Sequence, residues 1–292
     1  MREVVILSGK GGTGKTSLTG AFAHLASNKV ICDLDVDAPD LHLLLRPTHI
    51  REEEFESGYE AEIVPEKCTG CGLCASMCRY DAIRPNGNGF AVDPLRCEGC
   101  KVCVAFCPEE AVEFRLKRCG NRYVSLTRFG PMVHAQLFPG EPNSGRLVMV
   151  LKMTARELAE QNGSELVLCD GAPGIGCPVI SSLSGANLAV AVTEPTPSGR
   201  HDLERVAELC EHFKIRFAVI INKYDLNPQE VDGIENFCRK KGYPVVAKLP
   251  HDRIVTEAMV KGLVVTELPE TGFGVAVRNA WVKIKDLANR AR

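Results

Sequence analysis

No apolar run in this chain approaches the ~20 residues needed to span a bilayer. Met1-Arg2-Glu3 leads straight into the strand-like Val4-Val5-Ile6-Leu7, without the charged, apolar and small-residue segments of a secretory leader. The chain is therefore expected in the cytoplasm, with no stable membrane insertion. Charge of one sign is missing too, since 35 basic side chains nearly cancel 37 acidic ones to leave −2. No field of the whole chain then draws in nucleic acid or anionic lipid, and any such partner needs a local patch. Cysteine is not scarce: there are 14. In a reducing compartment, cysteines at metal-ligand spacing are ligands before they are disulfides.

At 292 residues, 45% hydrophobic and 25% charged, the chain has room for one large α/β core and a smaller module, taking ~150 residues per domain. A disordered or fibrous protein is excluded. Short apolar runs at 4–8, 30–33, 146–151, 165–169, 188–193, 217–222 and 245–249 are read as strands. Helical patterns fall near 15–27, 154–161, 178–184, 197–213, 229–240, 252–261 and 275–289. This alternation predicts a mostly parallel sheet covered by helices. It stops between residues 59 and 118, where turn-formers and cysteines dominate. The expectation is a discontinuous α/β domain, 1–58 with 119–292, interrupted by an inserted module at 59–118. Residues 119–145 look like a returning connection with no pattern that defines their structure.

Gly9-Lys10-Gly11-Gly12-Thr13-Gly14-Lys15-Thr16 fits GxxxxGK[ST] and lies between a strand and a helix, as a phosphate-binding loop must. Glycines let the backbone curl so that N–H groups and the helix N-terminus face phosphate oxygens. Lys15 reaches the β and γ phosphates and Thr16 holds Mg²⁺. The extra lysine, Lys10, makes the segment resemble the deviant Walker A motif of the MinD/ParA/Mrp and nitrogenase iron-protein ATPases, P-loop NTPases of the SIMIBI type. The resemblance implies that Lys10 crosses a homodimer interface to the partner's nucleotide.

Two further segments fit the same family. Val30-Ile31-Cys32-Asp33-Leu34-Asp35-Val36-Asp37 resembles its switch I, which implies that Asp35 positions or activates the attacking water. Leu166-Val167-Leu168-Cys169-Asp170-Gly171 resembles Walker B and switch II, with Asp170 binding Mg²⁺ through water and Gly171 sensing the γ-phosphate. Asn222 matches the adenine-recognising asparagine of the family, and Pro250 with Asp252 matches a loop that closes over the base. ATP or ADP and Mg²⁺ are the implied ligands.

Within 59–118, CTGCGLCASMCRYDAI and CEGCKVCVAFCPEEAV match cysteine for cysteine at a spacing of 29 residues. Such a module is too small for much of an apolar core, so metal ligation must supply much of its stability. The double CxxCxxCxxxC run is similar to that of bacterial two-cluster ferredoxins, an α+β module in which the fourth cysteine of each run ligates the other cluster. The resemblance implies two 4Fe-4S clusters, one on Cys68, Cys71, Cys74 and Cys107, the other on Cys97, Cys100, Cys103 and Cys78. Zinc also uses CxxC pairs, but has no use for a third and fourth cysteine at this spacing. Arg79 stands where the ferredoxin pattern has proline, which alters the local turn and puts a cation near a cluster.

Of the other cysteines, Cys32 and Cys169 read as buried small hydrophobes, and Cys210 and Cys238 fall in amphipathic helices. Cys177 is placed like the switch II cysteine through which the nitrogenase iron protein shares a cluster between subunits. The C-terminal CPxC pair of Mrp-type carriers is absent. Trp281-Val282-Lys283-Ile284-Lys285-Asp286-Leu287 is amphipathic and is expected to pack on the sheet rather than a membrane. The resemblance as a whole implies a homodimeric ATPase that gates electron transfer to a redox partner. Alternatives are a cluster carrier or maturation factor with a metalloprotein client, and, third, a MinD/ParA-type positioning ATPase.

Overall fold

The structure is a computed structural model that describes residues 1–141, 144–269 and 272–290. Its first half runs β1 (Arg2–Ser8), α1 (Lys15–Leu25), β2 (Lys29–Asp33), α2 (Leu41–Leu45), β3 (Thr48–Ile63), α3 (Leu73–Met77), β4 (Ile83–Asn86), β5 (Gly89–Val92), α4 (Val102–Ala105), β6 (Val112–Thr127) and β7 (Gly130–Leu137). There follow α5 (Ser144–Gln161), β8 (Leu166–Pro173), α6 (Cys177–Leu183), β9 (Leu188–Thr193), α7 (Pro197–His212), β10 (Arg216–Asn222), α8 (Pro228–Lys241), β11 (Val245–Leu249), α9 (Arg253–Val260) and α10 (Gly272–Asn289).

One sheet has the order β11-β10-β9-β1-β8-β2-β7-β6-β3. Its centre is parallel: β1 pairs with β8 and β9, β10 with β9 and β11, and β2 with β8 and β7. Central strands buried on both faces need apolar residues throughout. Val4 to Leu7 of β1 and all six residues of β9 are accordingly buried. Strand β1 lies between β8 and β9, so chain order reverses there, and ligands of such sheets bind beyond the carboxyl ends of the strands at that point. The phosphate-loop segment leaves β1 at this end.

Helix α10 buries Phe273, Val277, Ala280, Trp281 and Ile284, a stripe at helical spacing. Trp281 stacks on Phe22 of α1 with ring centroids 5.4 Å apart, so the amphipathic C-terminal segment packs inward. Among the described residues, no helix is long and apolar enough to cross a membrane.

Two expectations are corrected. Residues 146–151 are the start of α5, not a strand. Leu147, Val148, Leu151, Ala155 and Ala159 are buried, the three- and four-residue spacing of a helix face. The connection at 119–145 contains the end of β6 and all of β7, joined by the turn Arg128-Phe129.

By internal contact the chain divides into two compact units. The first comprises Met1–Glu53, Arg122–Gln136 and Ser144–Arg292, and the second Glu54–Asn121 and Leu137–Asn143. Residues 59 and 118 fall inside β3 and β6. In the second unit, β4 and β5 form an antiparallel hairpin with Ile83 opposite Val92, over a small core of Ala61, Ile63, Ile83 and Val112. Its backbone repeats at the 29-residue spacing. Val64 N donates to Ala111 O at 2.8 Å, and the equivalent Asp93 N donates to Ala82 O at 2.6 Å. Positive φ recurs at Gly70 and Gly99, Gly72 and Lys101, and Asp81 and Glu110.

Candidate nucleotide site and cysteine sites

The turn from β1 into α1 is possible only with glycine at its tight points. A Cβ on Gly14, whose φ is 90°, would lie 2.6 Å from Asn222 Nδ2, and one on Gly9 would lie 2.3 Å from Asp202 Cβ. Lys15 opens α1 and is buried. Its Nζ sits 3.0 Å from Asp170 Oδ2 and 3.5 Å from Asp35 Oδ2. Burial works against the ammonium, but Asp170, Asp35 and Asp33 outweigh it and hold the lysine above its ordinary range.

Asp170 is the hub. Its Oδ2 also accepts from Thr16 Oγ1 at 2.8 Å, and its Oδ1 from Thr19 Oγ1 at 2.7 Å. Asp33 lies opposite Asp170 in the β2–β8 register. Burial, then the Asp170 charge, pushes Asp33 well above the usual carboxylate range. Burial likewise raises Asp35, with Lys15 pulling the other way. Thr16 and Asp170 thus present adjacent hard oxygens, the donor chemistry that suits Mg²⁺ with its waters. The loop lines an open cavity together with Asp35, Asp40, Leu43, Pro173 and Met259.

Lys10 does not project freely. Its Nζ lies 2.6 Å from Glu194 Oε1 and 3.2 Å from both Thr196 Oγ1 and Ser198 Oγ. Lys223 Nζ donates to Glu194 Oε2 at 3.2 Å and to Gly12 O at 3.0 Å. Asn222 braces the loop, its Nδ2 donating to Thr13 O at 2.7 Å while its Oδ1 accepts from Lys223 N at 3.0 Å. It also lines an apolar cavity of about 380 Å³ with Gly14, Leu18, Val255, Met259 and Phe273. Asp252 caps α9 by accepting from Ile254 N at 2.9 Å. Neither Asp252 nor Pro250 is among the described residues lining these two cavities. Sequence reading missed Thr19, Glu194 and Lys223. Only the acid at the end of β9 carried a signal, as a charge terminating an apolar strand.

In the second unit, Cys68, Cys71, Cys74 and Cys107 line one cavity of about 340 Å³ with Ile63, Phe90 and Glu109. The fourth cysteine of the second run thus joins the first three of the first run. Cys97 and Cys100 each lie within electrostatic reach of Cys103. Cys78, Cys97 and Cys103 pack on the same small core as Cys68, Cys74 and Cys107. Each fourth cysteine accepts a backbone N–H four residues on: Ala82 N to Cys78 Sγ at 3.4 Å, and Ala111 N to Cys107 Sγ at 3.3 Å. Burial raises the Cys74 thiol and pushes Cys103 up to about 11, so ligation there must displace protons.

Among the described residues, no three His, Cys, Asp or Glu side chains converge closely enough for a single metal ion. Tetrahedral zinc needs thiolates about 3.8 Å apart, given Zn–S bonds of ~2.3 Å. Ligands on separate corners of an iron cube stand farther apart than that, and four thiols around one cavity are the donor set such a cube takes. Cys32, Cys119, Cys169, Cys210 and Cys238 are buried, and Cys177 is exposed at the start of α6.

A parallel sheet with a glycine loop, a buried lysine and an aspartate hub beyond its carboxyl ends defines a P-loop nucleotide-binding protein. Residues 4–265 match the CobQ/CobB/MinD/ParA nucleotide binding domain. The chain belongs to that family. It is 34% identical over 230 residues to an uncharacterized protein of Methanocaldococcus jannaschii (MJ0578), covering 77% of this chain and 79% of the relative. An uncharacterized ATP-binding protein of the same organism (MJ0685) is 21% identical over 98% of this chain and 97% of its own. In fold, the chain is similar to the Pyrococcus furiosus cell division ATPase MinD, with TM-score 0.58 and 18% identity over 98% of this chain and 99% of that one. The Pyrococcus horikoshii septum site-determining protein MinD, in complex with Mg-ADP, gives TM-score 0.59 and 17% identity over 99% and 97%.

Proposed function

We propose that this chain is a homodimeric, Mg²⁺-dependent ATPase that carries two 4Fe-4S clusters and couples its nucleotide state to electron delivery to a redox partner protein. The observation that carries the iron-sulfur part is the cavity shared by Cys68, Cys71, Cys74 and Cys107. When bound, such clusters supply one-electron redox chemistry at ligand sets that hold them tightly.

For ATP, Lys15 neutralises β- and γ-phosphate oxygens, Thr16 and Asp170 hold Mg²⁺ and its waters, and Asp35 orients the attacking water. Lys10 exchanges Glu194 for the nucleotide of a second copy, so hydrolysis requires two chains. Asn222 keeps the loop closed while presenting its remaining amide hydrogen toward the base pocket, with Pro250 and Asp252 on the segment leading into α9. Asp33, Asp35 and Asp170 around one ammonium form a charge cluster that γ-phosphate re-partitions, and this supports switch movement in β2 and β8 as the output of the ATPase.

A second reading is a factor that loads a cluster or metal into a client metalloprotein. The exposure of Cys177 at the end of the segment after Asp170 favours it, because a thiol there could offer a transferable site.

Anaerobic purification with iron, sulfide and ATPase assays tests the first reading, followed by redox titration with and without ATP. About eight irons per chain and a potential that moves with nucleotide are expected. Zinc or metal-free thiols in protein kept from oxygen overturn the iron-sulfur role, and a potential indifferent to ATP overturns the coupling.

A further inference from the structure

The 29-residue repeat makes two equivalent sites in the second unit, and their surroundings differ in charge. Residues 66–76 with 107–110 contain and flank Cys68, Cys71, Cys74 and Cys107 in the sequence. Residues 95–105 with 78–81 are their counterparts around Cys97, Cys100, Cys103 and Cys78. The first set sums to −2 and the second to +1. Counting Asp93, which pairs with Arg96 at 3.6 Å, the second set is neutral, and the gap is still two charges.

Resting on the reading that both sites hold 4Fe-4S clusters, we infer that the site of Cys97, Cys100, Cys103 and Cys78 accepts the first electron, and that Lys101 and Arg79 set this order. Part of the backbone contribution is common to the two sites. Each has one N–H to the sulfur of its fourth cysteine, at 3.4 and 3.3 Å, and positive φ recurs at matching positions. Side-chain charge differs by at least two between them, and it is one of the levers on cluster potential beside hydrogen bonding and exposure.

Lys101 occupies the left-handed region at φ 66°, where its counterpart is Gly72 at φ 79°. A non-glycine residue there is strained, so the lysine stands at a position that favours glycine. Its Nζ lies over the Phe114 ring, 5.5 Å from the centroid, and Phe114 stacks on Tyr59 at 4.9 Å. The charge on this residue of the Cys97–Cys103 loop is therefore held against Phe114. Arg79 directly follows Cys78, where Cys107 is followed by Pro108. On the other side, Glu109 lines the cavity of Cys68, Cys71, Cys74 and Cys107, with Glu110 next to it. An added electron is favoured near cations and opposed near carboxylates.

The step is the transfer of one electron to the cluster, which is reduced by one, from the sulfur dioxide radical anion released when the S–S bond of dithionite breaks, which is oxidised to sulfur dioxide; no bond to the protein is made. The test is a dithionite titration of the anaerobic full-length holoprotein, following the electron-spin signal against potential. Two one-electron waves are expected, separated by at least a tenfold preference, or 59 mV for one electron. Lys101→Gly and Arg79→Pro, which install the residues of the other copy, lower the upper wave and leave the lower one in place. Glu109→Gln raises the lower wave alone. Iron content is measured on every variant, and Lys101→Gln, which keeps the stem over Phe114, must act in the same direction as Lys101→Gly. About eight irons with coincident waves, or a Lys101 variant that moves only the lower wave, overturn the inference while the iron-sulfur reading stands. Wild-type protein without iron overturns both.

Discussion

The Lys10 ammonium is held 2.6 Å from Glu194 Oε1 of its own chain, so the side chain expected to cross to a partner is seated in cis. Lys10→Ala removes that crossing charge and leaves Lys15 untouched. ATP-dependent dimerisation is expected to disappear and hydrolysis to fall by about 100-fold, the size seen when one preorganised charge-stabilising donor is lost. Affinity of the single chain for ATP stays within about threefold. Light scattering with ATP, phosphate release and equilibrium binding check the three outcomes. A dimer that persists in this variant removes Lys10 from the interface.

Asp170 accepts from Lys15, Thr16 and Thr19 at once. Asp170→Asn keeps the shape but removes the charge that holds Lys15 protonated and that attracts Mg²⁺. Hydrolysis is expected to drop by ~100-fold, and the Mg²⁺ concentration for half-maximal nucleotide binding to rise at least tenfold. Nucleotide binding without Mg²⁺ changes little. Titration with Mg²⁺ at fixed ATP shows it, and an unchanged Mg²⁺ dependence would place the ion on other oxygens.

The phosphate loop, Asp35, Asp170 and the central strands were legible because they obey local rules, whereas Asp33 joins that cluster only through the β2–β8 register. A glycine loop between strand and helix has few alternatives, and buried parallel strands must be apolar along their length. What was hidden followed tertiary context. Strand β3 carries Arg51, Glu52, Glu53, Glu54 and Glu56, a composition that reads as loop. Its charges instead find partners on β6, with Arg118 3.0 Å from Glu54 and Arg122 paired with Glu53. The run Leu147-Val148-Met149-Val150-Leu151 was short and apolar, and periodicity cannot separate a buried strand from a helix turn there. Glu194 needed the fold as well, since only the sheet brings the end of β9 to Lys10.

The crossed pairing of the cysteine runs can be separated by mutation. Cys107→Ser should lose iron from the site of Cys68, Cys71 and Cys74, leaving about four of about eight irons. Cys78→Ser should empty the other site and lose the higher-potential signal. Measuring iron and spin per chain in both variants distinguishes the pairing: if each substitution instead disturbed the run in which it stands, the signals lost would be exchanged.

His134 supplies a pH dependence of stability in the first unit. Burial pushes its pKa down to about 4, assisted by the neighbouring His49 and His42. Its Nε2 lies 2.9 Å from Ser125 Oγ, which also meets His49 Nδ1 at 3.0 Å, and Tyr123 stacks on it at 5.0 Å. An unfolded histidine titrates near 6.5. Between that value and about 4 the unfolded chain binds the extra proton, so stability rises with pH. The contribution is fully present above about 6.5 and is lost as pH falls toward 4, about 3 kcal/mol at most at 1.36 kcal/mol per pKa unit. His134→Gln keeps a polar group for Ser125 and cannot titrate, so it should flatten this part of the profile. The single tryptophan, Trp281, is buried in the first unit, and its fluorescence during urea unfolding at pH 7.5 and pH 5 reads the effect there. Equal losses of stability in wild type and variant would assign the acid sensitivity elsewhere; the raised Asp33 and Asp35 act in the opposite sense, since acid favours their folded form.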